Sequence, residues 1–175
     1  MTLWSQPTYD ATENLGQSTS TRRLGLKVTP DGTNPPDTLD GQTIKTVRFW
    51  LKKGSGSTMN ISCKVYPNST GSETATSTNT VNSGDLGTSP AWVDFNFTGF
   101  TLNTNDFIML ISSSQESDSV IWYYTDNVDN GQAFALAPIT GTIQTEGRTP
   151  TVQLDTAGET PTTTTLLNPP QVAYI

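Results

Sequence analysis

Residues 91–112 read AWVDFNFTGFTLNTNDFIMLIS and place two kinds of strand next to each other. In AWVDFNF the side chains alternate, with Val93, Phe95 and Phe97 on one face and Trp92, Asp94 and Asn96 on the other. Successive side chains of a strand point to opposite faces of its sheet, so this segment predicts a strand with one buried face. In DFIMLIS, 106–112, both faces are apolar. Such a strand belongs at the centre of a sheet with a layer on each side.

The same period of two recurs along the chain. TRRLGLKV (21–28) sets Leu24, Leu26 and Val28 against Arg23 and Lys27, and TPDGTNPPD (29–37) ends the run in a long turn. TIKTVRFWLKK (43–53) offers Val47, Phe49 and Leu51 to one face; GSGS then reverses the chain into MNISCKVY (59–66), which predicts a hairpin. SVIWYYT (119–125) alternates Val120, Trp122 and Tyr124 against Ile121 and Tyr123, and GQAFALA (131–137) is expected to pair with it. The polar stretch 67–90 reads as an exposed excursion with one weak edge strand near Thr74–Val81. QVAYI (171–175) is expected to close the fold, and no helix is predicted.

At 175 residues the chain falls within the range of a single domain, and one domain over 1–175 is expected. About eight short strands joined by long polar connections predict an all-β antiparallel sandwich, of jelly-roll or immunoglobulin-like winding. A single cysteine rules out the Cys-Trp-Cys pattern of a true immunoglobulin domain and any intramolecular disulfide. That residue, Cys63, alternates with Ile61 and Val65 and reads as a small buried apolar group.

Charge and composition remove whole classes of function. There are 9 basic and 16 acidic residues, a net charge of -7, which repels phosphate backbones and anionic lipid. Neither nucleic acid nor a membrane is expected as a partner. The chain has no histidine, which excludes Ser-His-Asp triads, Cys-His dyads and His-ligated zinc within it. The strand acids are few, chiefly Asp94 and Asp106, and nothing in their spacing sets up the carboxylate pair of a glycosidase. Enzymatic activity is not expected. MTLWSQPTYDATENLG (1–16) shows neither the basic nor the apolar region of a signal peptide, and no run reaches the ~20 apolar residues of a membrane span.

IWYYTDNVDNG (121–131) joins three aromatic residues to a run of oxygen ligands. Tyr123 and Tyr124 are candidates for a sugar-stacking ring, with Asp126, Asn127, Asp129 and Asn130 to bind hydroxyl groups. Asp126, Asp129 and Asn130 also suit calcium in ligand type, but Val128 stands where an EF-hand would place a ligand, and a plain Asx turn is the favoured reading. No cofactor is therefore expected, with calcium kept as the minority alternative. The N-terminal arm 1–20 and the Thr/Pro-rich excursion 155–170 are too polar to build cores of their own. Extended arms dock on sheet edges and grooves of neighbours, which makes Trp4, Tyr9, Leu166 and Leu167 the candidate subunit contacts. An arm folded back on its own domain is the alternative.

Taken in order, IKTVRFWLKKGSGSTMNISCKVY, AWVDFNFTGFTLNTNDFIMLIS, VIWYY and QVAYI resemble the choice-of-anchor type jelly-roll modules of bacterial and archaeal surface proteins. They are also similar to modules in virus and phage structural proteins. The resemblance implies a jelly roll that binds carbohydrate or assembles and does not catalyse. With no export signal expected, it points to a virion subunit (capsid decoration, turret or fibre-like) that packs against copies of itself or capsid proteins, at a virion or extracellular surface. A carbohydrate-binding module and a self-assembling extracellular filament subunit are the alternatives.

Overall fold

The structure, a computed structural model, describes residues 2–5, 9, 11–15, 22–28, 39–56, 58–113, 120–125, 133–137, 142–146 and 149–156; for 2–5, 125, 133–137, 146, 149 and 150 it describes the backbone. It is an all-β sandwich of two antiparallel sheets. The strands are β1 (Thr2–Ser5), β2 (Ala11–Leu15), β3 (Arg23–Lys27), β4 (Thr43–Lys53), β5 (Asn60–Tyr66), β6 (Ala75–Thr76) and β7 (Val81–Asn82), then β8 (Ala91–Thr101), β9 (Phe107–Ser112), β10 (Val120–Thr125), β11 (Ala133–Ala137), β12 (Gln144–Glu146), β13 (Thr149–Pro150) and β14 (Val152–Thr156). Among the described residues the only helical turn is a 3-10 turn at Ser83–Asp85.

Sheet I holds β8, β4, β14 and β1 in that order, and β10 carries β2 and β13 beside them. Sheet II runs β12-β11-β3-β9-β5, with β6 and β7 on the far side of β5. Thr151, fully buried, joins β14 to β10: its N–H donates to the Tyr123 carbonyl (3.0 Å) and its own carbonyl accepts from the Trp50 N–H (3.3 Å). Four pairs nest inside one another along the sequence: β5 with β6, β4 with β8, β3 with β9, and β1 with β14.

The core lies where the alternation predicts it. Val47, Phe49 and Leu51 of β4 and Phe95 of β8 face Leu24, Leu26, Ile61, Cys63, Val65, Ile108 and Leu110 across the sandwich. Phe49 meets Trp122 and Phe95 edge-on, at ring-centroid distances of 5.7 and 6.0 Å. Burial pushes the Cys63 thiol pKa up, as a small apolar core residue requires. All six residues of β9 are buried. Its second face is covered too, because Phe107, Met109 and Ile111 form a smaller cluster with Tyr66 and Ile143. The two-sided apolar strand is central for the reason its sequence implies.

Two pairing expectations are corrected. β4 and β5 are not a hairpin; β4 pairs with β8, β14 and β10 in sheet I, and β5 with β9, β6 and β7 in sheet II. The chain passes from sheet I at Lys53 to sheet II at Asn60, so the two apolar faces meet across the core. β11 pairs with β3 and β12, not with β10. Of the two readings kept for the N-terminal arm, the structure shows the one folded back on its own domain, with β1 on β14 and β2 on β10. β14 itself is not foreseen in the sequence, since its alternation of Val152 and Leu154 is short and follows Pro150 closely. The expected closing strand 171–175 lies outside the described residues.

Candidate functional site

Two surfaces carry concentrated chemistry. The first is a cleft of about 490 Å³ where β6 approaches the end of β8, lined by Pro67, Thr74, Thr76, Phe97, Thr98, Phe100, Thr101, Asn103 and Asp106 among others. A bulge in β8 makes it. Ile44 pairs with Phe100 and Thr46 with Asn96, so Phe97, Thr98 and Gly99 stand opposite Lys45 alone. Gly99 takes φ +128, a conformation side-chain-bearing residues rarely adopt, and the strand bends there. The bend brings Phe97 and Phe100, three residues apart, into edge contact at 4.8 Å. Regular alternation would have put them on opposite faces.

The floor of the cleft is a tight turn. The Asn103 N–H and side-chain amide both donate to Asp106 Oδ2 (2.8 and 3.3 Å), and the Asp106 N–H donates to the Asn103 carbonyl (3.1 Å). Asn105 takes φ +71, which asparagine tolerates better than most residues. Asp106 is only 3% exposed, and its Oδ1 accepts no hydrogen bond among the described residues. Burial, partly offset by the Asn103 bonds and reinforced by the charge of Asp40, raises its pKa.

β6 and the residues after it also close this side of the sandwich. The Asn79 side chain donates to the Asp94 carbonyl (2.8 Å) and accepts from the Asn96 N–H (2.7 Å), and the Thr78 N–H donates to the Asn96 carbonyl (2.6 Å). An amide side chain thereby does for β8 what a neighbouring strand would. The middle of that edge is unavailable for strand addition.

The second surface is the outer face of sheet I. Trp50 and Trp92 sit opposite each other on β4 and β8, in edge contact at 5.1 Å and partly exposed. Beside them Arg48 bonds Asp94 (2.8 Å) and Asp155 (2.7 Å), and the Thr46 hydroxyl donates to Asn96 (3.2 Å). Further along, Lys52 lies over the Tyr123 ring at 5.9 Å, and Tyr9 meets the same ring edge-on at 4.5 Å.

Both candidate sugar-stacking rings are buried, Tyr123 to 5% exposure and Tyr124 to 6%. The cause is physical: Tyr124 points into the core as its alternation with Trp122 dictates, and Tyr123, on the outer face, is covered by Tyr9 and Lys52. Tyr9, a candidate subunit contact with a folded-back arm as the alternative, packs on Tyr123 of its own chain. Of Trp4 the backbone is described, paired with Leu154. Asp126, Asn127, Asp129, Asn130, Leu166 and Leu167 lie outside the described residues. Among the described residues no group of three or more Cys, Asp or Glu side chains could hold a metal ion. Also among them, no helix is long and apolar enough to cross a membrane.

The cleft is not foreseen in the sequence, although FTGF carries its signal: a glycine inside a strand pattern marks a bulge. No family model, curated protein or solved structure gives a match to the chain.

Proposed function

We propose that the chain is a non-enzymatic structural subunit of an outer surface, with a virion as its setting, wound as a jelly roll. The four nested strand pairs support that winding, because a jelly roll is a folded ribbon of antiparallel strands wrapped into two sheets. The observation that carries the structural role is the outer face of sheet I. There a pair of partly exposed tryptophans lies next to the Arg48 charge network. Aromatic residues and arginine are the types enriched where proteins meet, and the large apolar area of tryptophan is what such contacts bury.

In this reading the subunits pack face to face, as copies of this chain or against other subunits of a shell. The arm completes its own sheet by pairing on β14 and β10, so it serves the subunit that carries it. The test is the mass of the purified protein by light scattering over a wide concentration range, with negative-stain images of the same samples. Oligomers or closed particles that dissociate in Trp92→Glu are expected. A constant monomer mass would remove the assembly role. Assembly that survives Trp92→Glu and is lost on deletion of residues 1–15 would favour the filament alternative, in which the arm exchanges between subunits.

A further inference from the structure

We infer that the cleft between β6 and the bulged end of β8 is a binding site for a neutral saccharide, one or two sugar units long. This stands whether or not the chain assembles.

The inference starts from what the walls offer. Phe97 and Phe100 supply an aromatic corner, Phe97 almost buried and Phe100 partly exposed. The apolar C–H face of a sugar ring packs against such a surface. Around it stand Thr76, Thr98 and Thr101, exposed, whose hydroxyls make no hydrogen bond among the described residues. A hydroxyl both donates and accepts, which suits ligands that are themselves made of hydroxyls. At the base lies Asp106, with one carboxyl oxygen held by Asn103 and the other accepting nothing among the described residues. A ligand hydroxyl donating to that second oxygen would make a charge-assisted hydrogen bond, stronger than one to a neutral acceptor.

The lining also excludes other classes. It contains no lysine or arginine and its one charged group is a carboxylate, with Lys45 standing outside it across from Gly99, so the walls themselves offer no charged partner to phosphorylated, sulfated or acidic ligands. A wholly apolar ligand would strip water from the threonine hydroxyls and the Asp106 carboxyl without replacing its hydrogen bonds. A hard cation would find a single carboxylate in the cleft, too few ligands for calcium. The volume of about 490 Å³ lies within the range of small-molecule sites, ~300–1,000 Å³. The site is also built into the fold: the β8 bulge and the Asn103–Asp106 turn hold the two halves of the polar and aromatic set before any ligand arrives.

The experiment is a titration of the isotope-labelled protein, followed by NMR, with a panel of neutral hexoses, N-acetylhexosamines, deoxyhexoses and their disaccharides. At least one is expected to shift Thr76, Thr98, Phe100 and Asn103 in a saturable way, with Kd in the ~0.1–10 mM range of a small, solvent-open site. Phe100→Ala should weaken it about tenfold. Thr98→Arg, at an exposed position that the core does not use, should abolish it by filling the cleft while the rest of the spectrum keeps its folded pattern. No shift with any saccharide in the panel would overturn the inference. So would binding unchanged in Thr98→Arg, or a response to calcium chloride or methylamine alone.

Discussion

The outer faces of the two sheets are built on opposite plans. Behind sheet II, Phe107, Met109 and Ile111 of β9 are sealed under Tyr66 and Ile143, and Arg23 and Lys27 lie over the Tyr66 and Phe107 rings at 5.3 and 6.0 Å. Behind sheet I, Trp50, Trp92, Arg48 and Asp94 are only partly covered. Position on a strand is the same in the two cases; what differs is whether another segment of chain crosses the face. The sealed face adds a second cluster to the core, and the open one leaves its aromatic and charged side chains in partial contact with water.

The largest effect should come from placing a charge on each face in turn. Met109→Glu removes an apolar side chain from the sealed cluster and puts a carboxylate beneath Tyr66 and Ile143, where Lys64 opposite it offsets only part of the burial cost, and a loss of about 3 kcal/mol is expected. Trp92→Glu, at the matching outward position of sheet I, should cost about 1 kcal/mol, the worth of the lost aromatic pair. Urea denaturation of both variants measures the difference, and equal losses would break the comparison.

A second test probes the close approach of β3 and β9. A Cβ on Gly25 would lie 2.7 Å from the Met109 Cα and closer still to the Ile108 carbonyl, both backbone atoms that cannot swing aside. Gly25→Val is expected to cost about 3 kcal/mol, visible as a lower urea midpoint. A near-neutral result would show that the two strands can separate without loss.

On the open face, Arg48→Ala removes two ion pairs; Asp94 stays partly in water but Asp155 is left buried without its counter-charge, so about 2 kcal/mol is expected. The double variant with Asp94→Ala sharpens the comparison. It should cost little more than Arg48→Ala alone if the pair is coupled, whereas additive losses would show that the two side chains act independently.

The smallest effect concerns acid. Asp106 has its pKa raised in the folded state, mainly by burial, so its protonated form is favoured by folding. That contribution is full below the unfolded carboxylate pKa and is lost as pH rises through the folded value. Relative to Asp106→Asn, the wild type should therefore gain stability on acidification, read from Tm at neutral and acid pH. An opposite slope would mean that the Asn103 hydrogen bonds outweigh burial.

The site was less legible than the fold. FTGFTLNTND contains each cleft residue from Phe97 to Asp106, yet only the bulge at Gly99 turns two phenylalanines to one side, and only β6, arriving from about 20 residues upstream, makes a wall opposite them. IWYYT stands out by its aromatic density, and in the structure that density is spent on the core and on holding the arm.

By itself the sequence determined which face of each strong strand is buried, that β9 is covered on both sides, that histidine chemistry is absent from the chain, and that Cys63 is a core residue. These are local properties, set by a side-chain period of two and by the cost of leaving apolar groups in water. Only the tertiary structure decided which strands are neighbours. Any strand edge presents the same row of N–H and C=O groups, so the pattern that fixes a strand's inner face carries no label for its partner. The parting of β4 from β5, the pairing of β11 with β3, the return of the arm onto β14 and β10, and the cleft beside β8 all follow from that long-range choice.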